Sequence, residues 1–188
     1  MKNKSILITA PSGAGKTTLV KMLLDEFPNF KFSVSATTRS PRISEEDGKD
    51  YFFIDNTAFE DKIKKEDFLE WEEVYNGTKY GTLKSEVEKI WKKNQVAVFD
   101  IDIMGALKIK KLLCQDILSI FIAPPNFETL EKRLRGRKTE TEDKIQTRVN
   151  KAKDEMKFEN FFDHKIINDD IEVAYFQLKE KVMNFLEK

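Results

Sequence analysis

Ala10-Pro11-Ser12-Gly13-Ala14-Gly15-Lys16-Thr17-Thr18 stands between an apolar, strand-like run, Ser5 to Thr9, and a helix-like segment, Leu19 to Leu24. A strand, a glycine-bearing loop, Lys-Thr and a helix in that order make a P-loop in its expected setting. Glycines at 13 and 15 let the backbone curl until several N–H groups face one anion, and the helix that follows adds its positive dipole end. Lys16 can then reach the β- and γ-phosphates of a nucleotide, and the Thr17 hydroxyl can ligate Mg²⁺. Ala10 occupies the position where the pattern has its first glycine. A methyl group is the smallest change available there, so the loop is expected to persist. The competing reading, an ordinary glycine-containing turn, is disfavoured by the strand before it and the helix after it.

Further apolar runs lie at Phe32 to Val34, Gln95 to Ile101, Ile117 to Ile122 and Lys165 to Ile167, each followed by a helix-like segment or an insertion. Their shortness and β-branched content favour buried strands, and the alternation predicts an α/β fold: a parallel sheet of the P-loop NTPase type, flanked by helices. From Asp170 onward, Ile171, Ala174, Tyr175, Leu178, Val182 and Phe185 recur at helical spacing, which reads as the core face of a last helix. Two stretches interrupt the pattern. Residues 35–82 hold short strand candidates, Tyr51 to Ile54 and Phe68 to Tyr75, around the helix-like Thr57 to Lys65, and so suggest an inserted α+β lobe. Arg133 to Arg148 is arginine-rich and reads as too polar for core, hence an exposed flap or charged helix. The expected organisation is one domain, 1–188, with a core of 1–34, 83–132 and 149–188, the lobe at 35–82 and a mobile lid at 133–148.

The 188 residues are 40% hydrophobic, enough for one real core. Their 33 basic and 33 acidic side chains cancel, which argues against a general nucleic-acid binder and for a small partner. No apolar run approaches the ~20 residues that span a bilayer, and Met1 to Ala10 lacks the long apolar segment of a secretory signal, so the expected setting is the cytoplasm, away from membranes. One cysteine, Cys114, excludes an internal disulfide, and in Leu112-Leu113-Cys114 it reads as a small buried hydrophobe. The single histidine, His164, leaves little material for a zinc site or a Ser-His-Asp hydrolase.

A P-loop does not identify the acceptor of the phosphoryl group. Arg39 and Arg42, three residues apart on a Pro-containing turn, suit a dianionic phosphate because guanidinium forks bind its oxygens bidentately; by themselves they also read as a solvated surface. Glu70, beside Trp71, is equally open to reading as a surface carboxylate. Asp100 ends the run Val96-Ala97-Val98-Phe99 at the carboxyl edge of a strand, where it could support Mg²⁺ through water or serve as a helix cap.

In order along the chain, the P-loop, Ser33 to Arg42 with Gly48 to Tyr51, Phe68-Leu69-Glu70-Trp71, Tyr80-Gly81-Thr82, Asp100-Ile101-Asp102 with Gly105, Arg135-Gly136-Arg137 with Thr139-Glu140, and Ile167-Asn168-Asp169-Asp170 resemble the guanylate kinase family nearly end to end. The resemblance implies transfer of a phosphoryl group from ATP, with Mg²⁺, to GMP, and leaves dGMP as a second candidate acceptor. It implies that Arg39, Arg42, Tyr51 and Tyr80 hold the GMP phosphate, and that Ser35, Glu70, Thr82 and Asp102 read guanine, with Gly81 in the same block. Pro11, Ser12, Gly13, Ala14, Gly15, Lys16, Thr17 and Thr18 are then the ATP cradle, Asn168 an adenine-side contact, and Arg133, Arg137 and Arg148 lid arginines. Lys16, Arg39, Arg42, Arg137 and Arg148 are the expected catalytic groups. Lys138 stands where the family usually has glycine, and Thr82 where it often has serine. A monomer or weak homo-oligomer is expected.

Overall fold

The structure, a computed structural model, describes residues 3–75, 77–136 and 142–187. Five parallel strands, β1 (Ser5–Thr9), β2 (Phe30–Phe32), β7 (Val96–Asp100), β8 (Ile117–Ala123) and β9 (His164–Ile167), form the central sheet in the order β2-β7-β1-β8-β9. The α/β expectation holds. Strand β2 lies two residues upstream of the Phe32 to Val34 reading: Phe30 is buried and stacks on Phe27 at 4.7 Å, whereas Val34 is only half-buried.

Period-two alternation makes both faces apolar. Ile6 and Ile8 of β1 point to one side, where α1 (Lys16–Glu26) and α7 (Ile171–Leu186) bring Leu19, Leu23, Leu178 and Val182. Leu7 points to the other, against Phe99, Phe121 and the side chains of α3 (Lys84–Lys92) and α4 (Ile103–Leu113). The helical stripe read from Asp170 onward faces the core as expected, with Ala174, Leu178 and Val182 buried and Ile171, Tyr175 and Phe185 half-buried against them, and the Asp170 side chain caps α7 by accepting the N–H groups of Glu172 and Val173.

A second sheet, in the order β4-β3-β6-β5, comprises β3 (Ser35–Thr37), β4 (Tyr51–Phe53), β5 (Phe68–Tyr75) and β6 (Thr78–Leu83), packed with α2 (Asn56–Lys64). Phe59 of α2 is fully buried and stacks on Phe68 at 4.5 Å, with Ala36 and Leu83 completing this small core. Strands β3 and β6 escaped the sequence reading. One is only three residues long, and the other carries Gly81 in its interior, where a Cβ would lie 2.7 Å from the Phe68 ring.

Two further expectations are corrected. Cys114 is exposed: it ends α4 with φ 49°, outside the packed part of the helix, and Leu112 is exposed as well. The run Arg133 to Arg148 is not wholly polar surface. It falls partly within α5 (Phe127–Arg135) and α6 (Glu142–Met156), where Leu134 and Ile145 join Leu130, Val149 and Ala152 in a separate apolar cluster. Among the described residues, no helix is long and apolar enough to cross a membrane.

Candidate active site

The P-loop leaves the carboxyl end of β1, between β7 and β8, where the chain order across the sheet reverses; ligands of open parallel sheets collect there. Gly13 and Gly15 adopt φ 91° and 92°, in the left-handed region that favours glycine. Gly15 is the N-cap of α1 and supplies no side chain to cap it, so the first N–H groups of the helix remain directed at the space in front of the loop. Ala10 is buried in the core behind it, which accommodates the departure from glycine.

Lys16 donates to the Ile101 carbonyl at 3.0 Å and pairs with Asp100 Oδ1 at 2.5 Å. An ammonium has three N–H groups, so one is left for another acceptor. The Thr17 hydroxyl lies 3.4 Å from Asp100 Oδ2. The helix-capping alternative for Asp100 belongs instead to Asp102, whose Oδ1 accepts the N–H groups of Met104 and Gly105 at the start of α4. Among the described residues, no cluster of three His, Cys, Asp or Glu side chains could hold a metal alone. A hydroxyl beside a carboxylate nevertheless suits Mg²⁺, a hard cation that keeps water and phosphate oxygens as its other ligands.

Asn168, at the end of β9, is nearly fully buried and donates to the Ala14 carbonyl at 2.7 Å. A Cβ on Gly15 would fall 2.1 Å from its amide nitrogen. Its side chain therefore braces the P-loop from behind rather than lying open for adenine. Arg133 binds the Asn168 and Asp169 carbonyls at 2.8 and 3.1 Å, and Arg148 of α6 reaches the Ser12 hydroxyl at 3.1 Å. Arg137 and Lys138 lie outside the described residues.

The second sheet presents the acceptor-side residues. Arg39 donates to the Tyr80 hydroxyl at 3.1 Å and lies over the Tyr51 ring at 5.1 Å; Tyr51 and Tyr80 meet edge to face at 5.8 Å. Burial, reinforced by the Asp100 charge, pushes the Tyr51 phenol up to about 12, so it remains a donor at neutral pH. Arg42 is more exposed.

Deeper, Glu70 of β5 is opposite Thr82 of β6, whose hydroxyl donates to Glu70 Oε1 at 2.6 Å. Burial raises the Glu70 carboxyl to about 7; the Thr82 bond opposes the rise and the nearby Asp102 adds to it. Gly105, on the first turn of α4, marks where the two acids converge. A Cβ there would lie 2.7 Å from Glu70 Oε2 and 3.4 Å from Asp102 Oδ2. P-loop, arginines and acids, with Ser35 and Gly81, line one continuous cavity of about 860 Å³.

A family model described as guanylate kinase matches residues 2–185. The chain belongs to the guanylate kinase family. It is 45% identical to a guanylate kinase of Bacteroides thetaiotaomicron across all of this chain and 92% of that protein, and 42% identical to one of Porphyromonas gingivalis across 98% and 99%. The crystal structure of guanylate kinase from Anaplasma phagocytophilum superposes with a TM-score of 0.77 at 27% identity, over 97% of this chain and 86% of that one. A shikimate kinase from Bacteroides thetaiotaomicron, at 12% identity and a TM-score of 0.50, shares the fold alone.

Membership of the guanylate kinase family does not by itself explain Gly105 or Glu45, to which the sequence reading gave no role. Gly105 is small because two carboxylates meet over it. Replacing it with alanine is expected to displace Glu70 Oε2 and raise KM for the acceptor about tenfold, with KM for the donor nucleotide unchanged. Steady-state kinetics with each substrate varied in turn checks this, and an unchanged acceptor KM would refute it. Glu45 was hidden in the acidic run Glu45-Glu46-Asp47, which reads as solvated surface.

Proposed function

We propose that this chain transfers the γ-phosphoryl group of ATP to GMP, giving ADP and GDP, by in-line displacement without a covalent intermediate. The observation that carries the reading is the single cavity with a phosphate cradle at one end and two convergent, partly buried carboxylates at the other. Guanine offers N1–H and an exocyclic amine as donors, which acceptor-only Glu70 and Asp102 complement. Adenine would turn a lone pair toward a carboxylate and lacks the 2-amine, leaving buried acceptors unpaired. The one proton of the Thr82 hydroxyl is given to Glu70, so Ser35 is assigned as the donor to guanine O6 and Thr82 as the residue that orients the acid.

Arg39, Arg42, Tyr51 and Tyr80 hold the GMP phosphate, and residues 11–18 cradle the phosphates of ATP. Thr17, directly, and Asp100, through water, would hold Mg²⁺, which when bound neutralises charge on the β- and γ-phosphates. Lys16 and Arg148 stabilise the oxygens of the phosphoryl group in flight, with Arg137 joining them from the lid and Arg133 on the ATP side. Asn168 serves the ATP side by fixing Gly15 and Ala14 in the cradle.

A phosphate acceptor is already ionised near neutral pH, so no protein base is needed and catalysis is positioning plus electrostatics. Closure of the lobe, 35–82, and the lid, 133–148, over the core excludes water that would otherwise hydrolyse ATP. The protein is assigned to the cytoplasm as a monomer or weak homo-oligomer, without nucleic-acid or membrane partners.

The test is a coupled ADP-release assay over GMP, dGMP, AMP, UMP and a sugar phosphate. GMP is expected to exceed AMP by at least 10²-fold in kcat/KM. Equal use of AMP, or no ADP release above ATP hydrolysis, would overturn the assignment.

A further inference from the structure

Glu45 links the two acceptor-side arginines. Its oxygens accept Arg39 Nη1 and Nη2 at 2.6 Å each, and Oε2 also accepts the backbone N–H of Arg42 at 2.8 Å. The Arg42 guanidinium lies 3.9 Å from Oε1, and the Glu45 N–H closes the turn by donating to the Arg42 carbonyl at 3.0 Å. The pair is well shielded, with the Arg39 and Glu45 side chains 17% and 13% exposed. The Arg39 guanidinium holds the Glu45 carboxyl below the usual carboxylate range, so it is charged at neutral pH.

A guanidinium has five N–H groups. Arg39 gives Nε to Tyr80, one Nη1 hydrogen to the Ser40 carbonyl, and one hydrogen from each of Nη1 and Nη2 to Glu45. A single Nη2 hydrogen is left. The Tyr51 and Phe53 rings, at 5.1 and 5.6 Å, fix the guanidinium plane from the side.

We propose that Glu45 is a positioning residue for the acceptor phosphate: it clamps Arg39 by its fork and Arg42 by its backbone, so that the remaining Arg39 N–H and the Arg42 guanidinium are preset toward the cavity both line. This rests on the reading of the chain as a GMP kinase. A carboxylate in an arginine fork can alternatively be a stand-in that incoming phosphate displaces. Displacement here would also strand the Arg42 amide without its acceptor, which makes it the costlier course. The two roles predict opposite signs. A stand-in opposes GMP, so removing it tightens binding; a clamp prepays the ordering of the Arg39 side chain and of the turn that carries Arg42, so removing it weakens binding.

The test uses the intact protein with Glu45→Gln, nearly isosteric and keeping one acceptor oxygen, and Glu45→Ala. Steady-state kinetics with ATP and GMP is combined with calorimetric titration by GMP and by guanosine, which lacks the phosphate. Expected are a ~10- to 100-fold rise in KM and Kd for GMP in Glu45→Ala, a smaller rise in Glu45→Gln, and changes within about twofold for ATP and guanosine. Unchanged or tighter GMP binding would overturn the role. So would parallel loss of GMP and guanosine, which would mark Glu45 as a general support of the lobe. Wild-type protein that fails to convert GMP would remove the proposed function as well, whereas the variant outcomes bear on Glu45 alone.

Discussion

Truncating Lys16 to alanine is expected to lower kcat by about 10²- to 10³-fold, the cost of removing one preorganised charged donor from a phosphoryl-transfer site. The ammonium is fixed by the Ile101 carbonyl and the Asp100 carboxylate, so its remaining N–H is aimed without needing to be ordered during reaction. Charge on the equatorial oxygens changes as the bond to the leaving group loosens, and a fixed cation answers that change without reorganising. Lys16→Met, which keeps most of the aliphatic stem, should behave like Lys16→Ala because the charge, not the packing, is at stake. Affinity for GMP, titrated separately, should stay within about twofold, since Ser35, Tyr51, Glu70 and Tyr80 belong to the second sheet and Lys16 opens α1 beside the central one. Near wild-type turnover in either variant would remove Lys16 from the chemistry.

What could be read from the sequence divides along the range of the interactions. The P-loop was legible because its parts are contiguous: β1, two glycines, Lys-Thr and α1 fall within 22 residues, Ser5 to Glu26. The parallel strands were legible because both sheet faces are buried, which leaves continuous apolar runs such as Ile117 to Ala123, buried throughout. The pairing of β3 with β6 was not, since Ser35 opposite Thr82 is a contact between polar residues far apart in sequence. The resemblance named Asp102 as a reader of the base. It could not foresee that one of its oxygens is occupied in capping α4. Asn168 was named by position, yet its fit behind Gly15 depends on a tertiary approach that no local pattern encodes. Glu45 was concealed for a similar reason: its worth lies in a fork to Arg39 across a turn, and its neighbours Glu46 and Asp47 make it look like one more solvated acid.

Glu70→Gln should separate stability from selection. Burial lifts the Glu70 carboxyl from 4.5 to about 7, so between those values the folded protein binds a proton that the unfolded chain does not. Stability then falls as pH rises through this window, and above pH 7 the buried charge costs on the order of 3 kcal/mol, from 1.36 kcal/mol per pKa unit. Glutamine is neutral and its carbonyl can still accept from Thr82, so at pH 8 the ligand-free variant is expected to melt roughly 5–10 °C higher. At pH 4 the two proteins should melt together, because both side chains are then uncharged. Selection moves the other way. Guanine donors need the ionised acid, so wild-type affinity for GMP should strengthen as pH rises through about 7, after allowance for ionisation of the GMP phosphate, which both proteins share. The variant presents an NH₂ group where an acceptor is needed, and its preference for GMP over AMP should drop by at least 10²-fold. A variant that is no more stable at pH 8 would show that Glu70 is not held as a strained, buried acid, and an unchanged GMP preference would place the guanine pocket elsewhere.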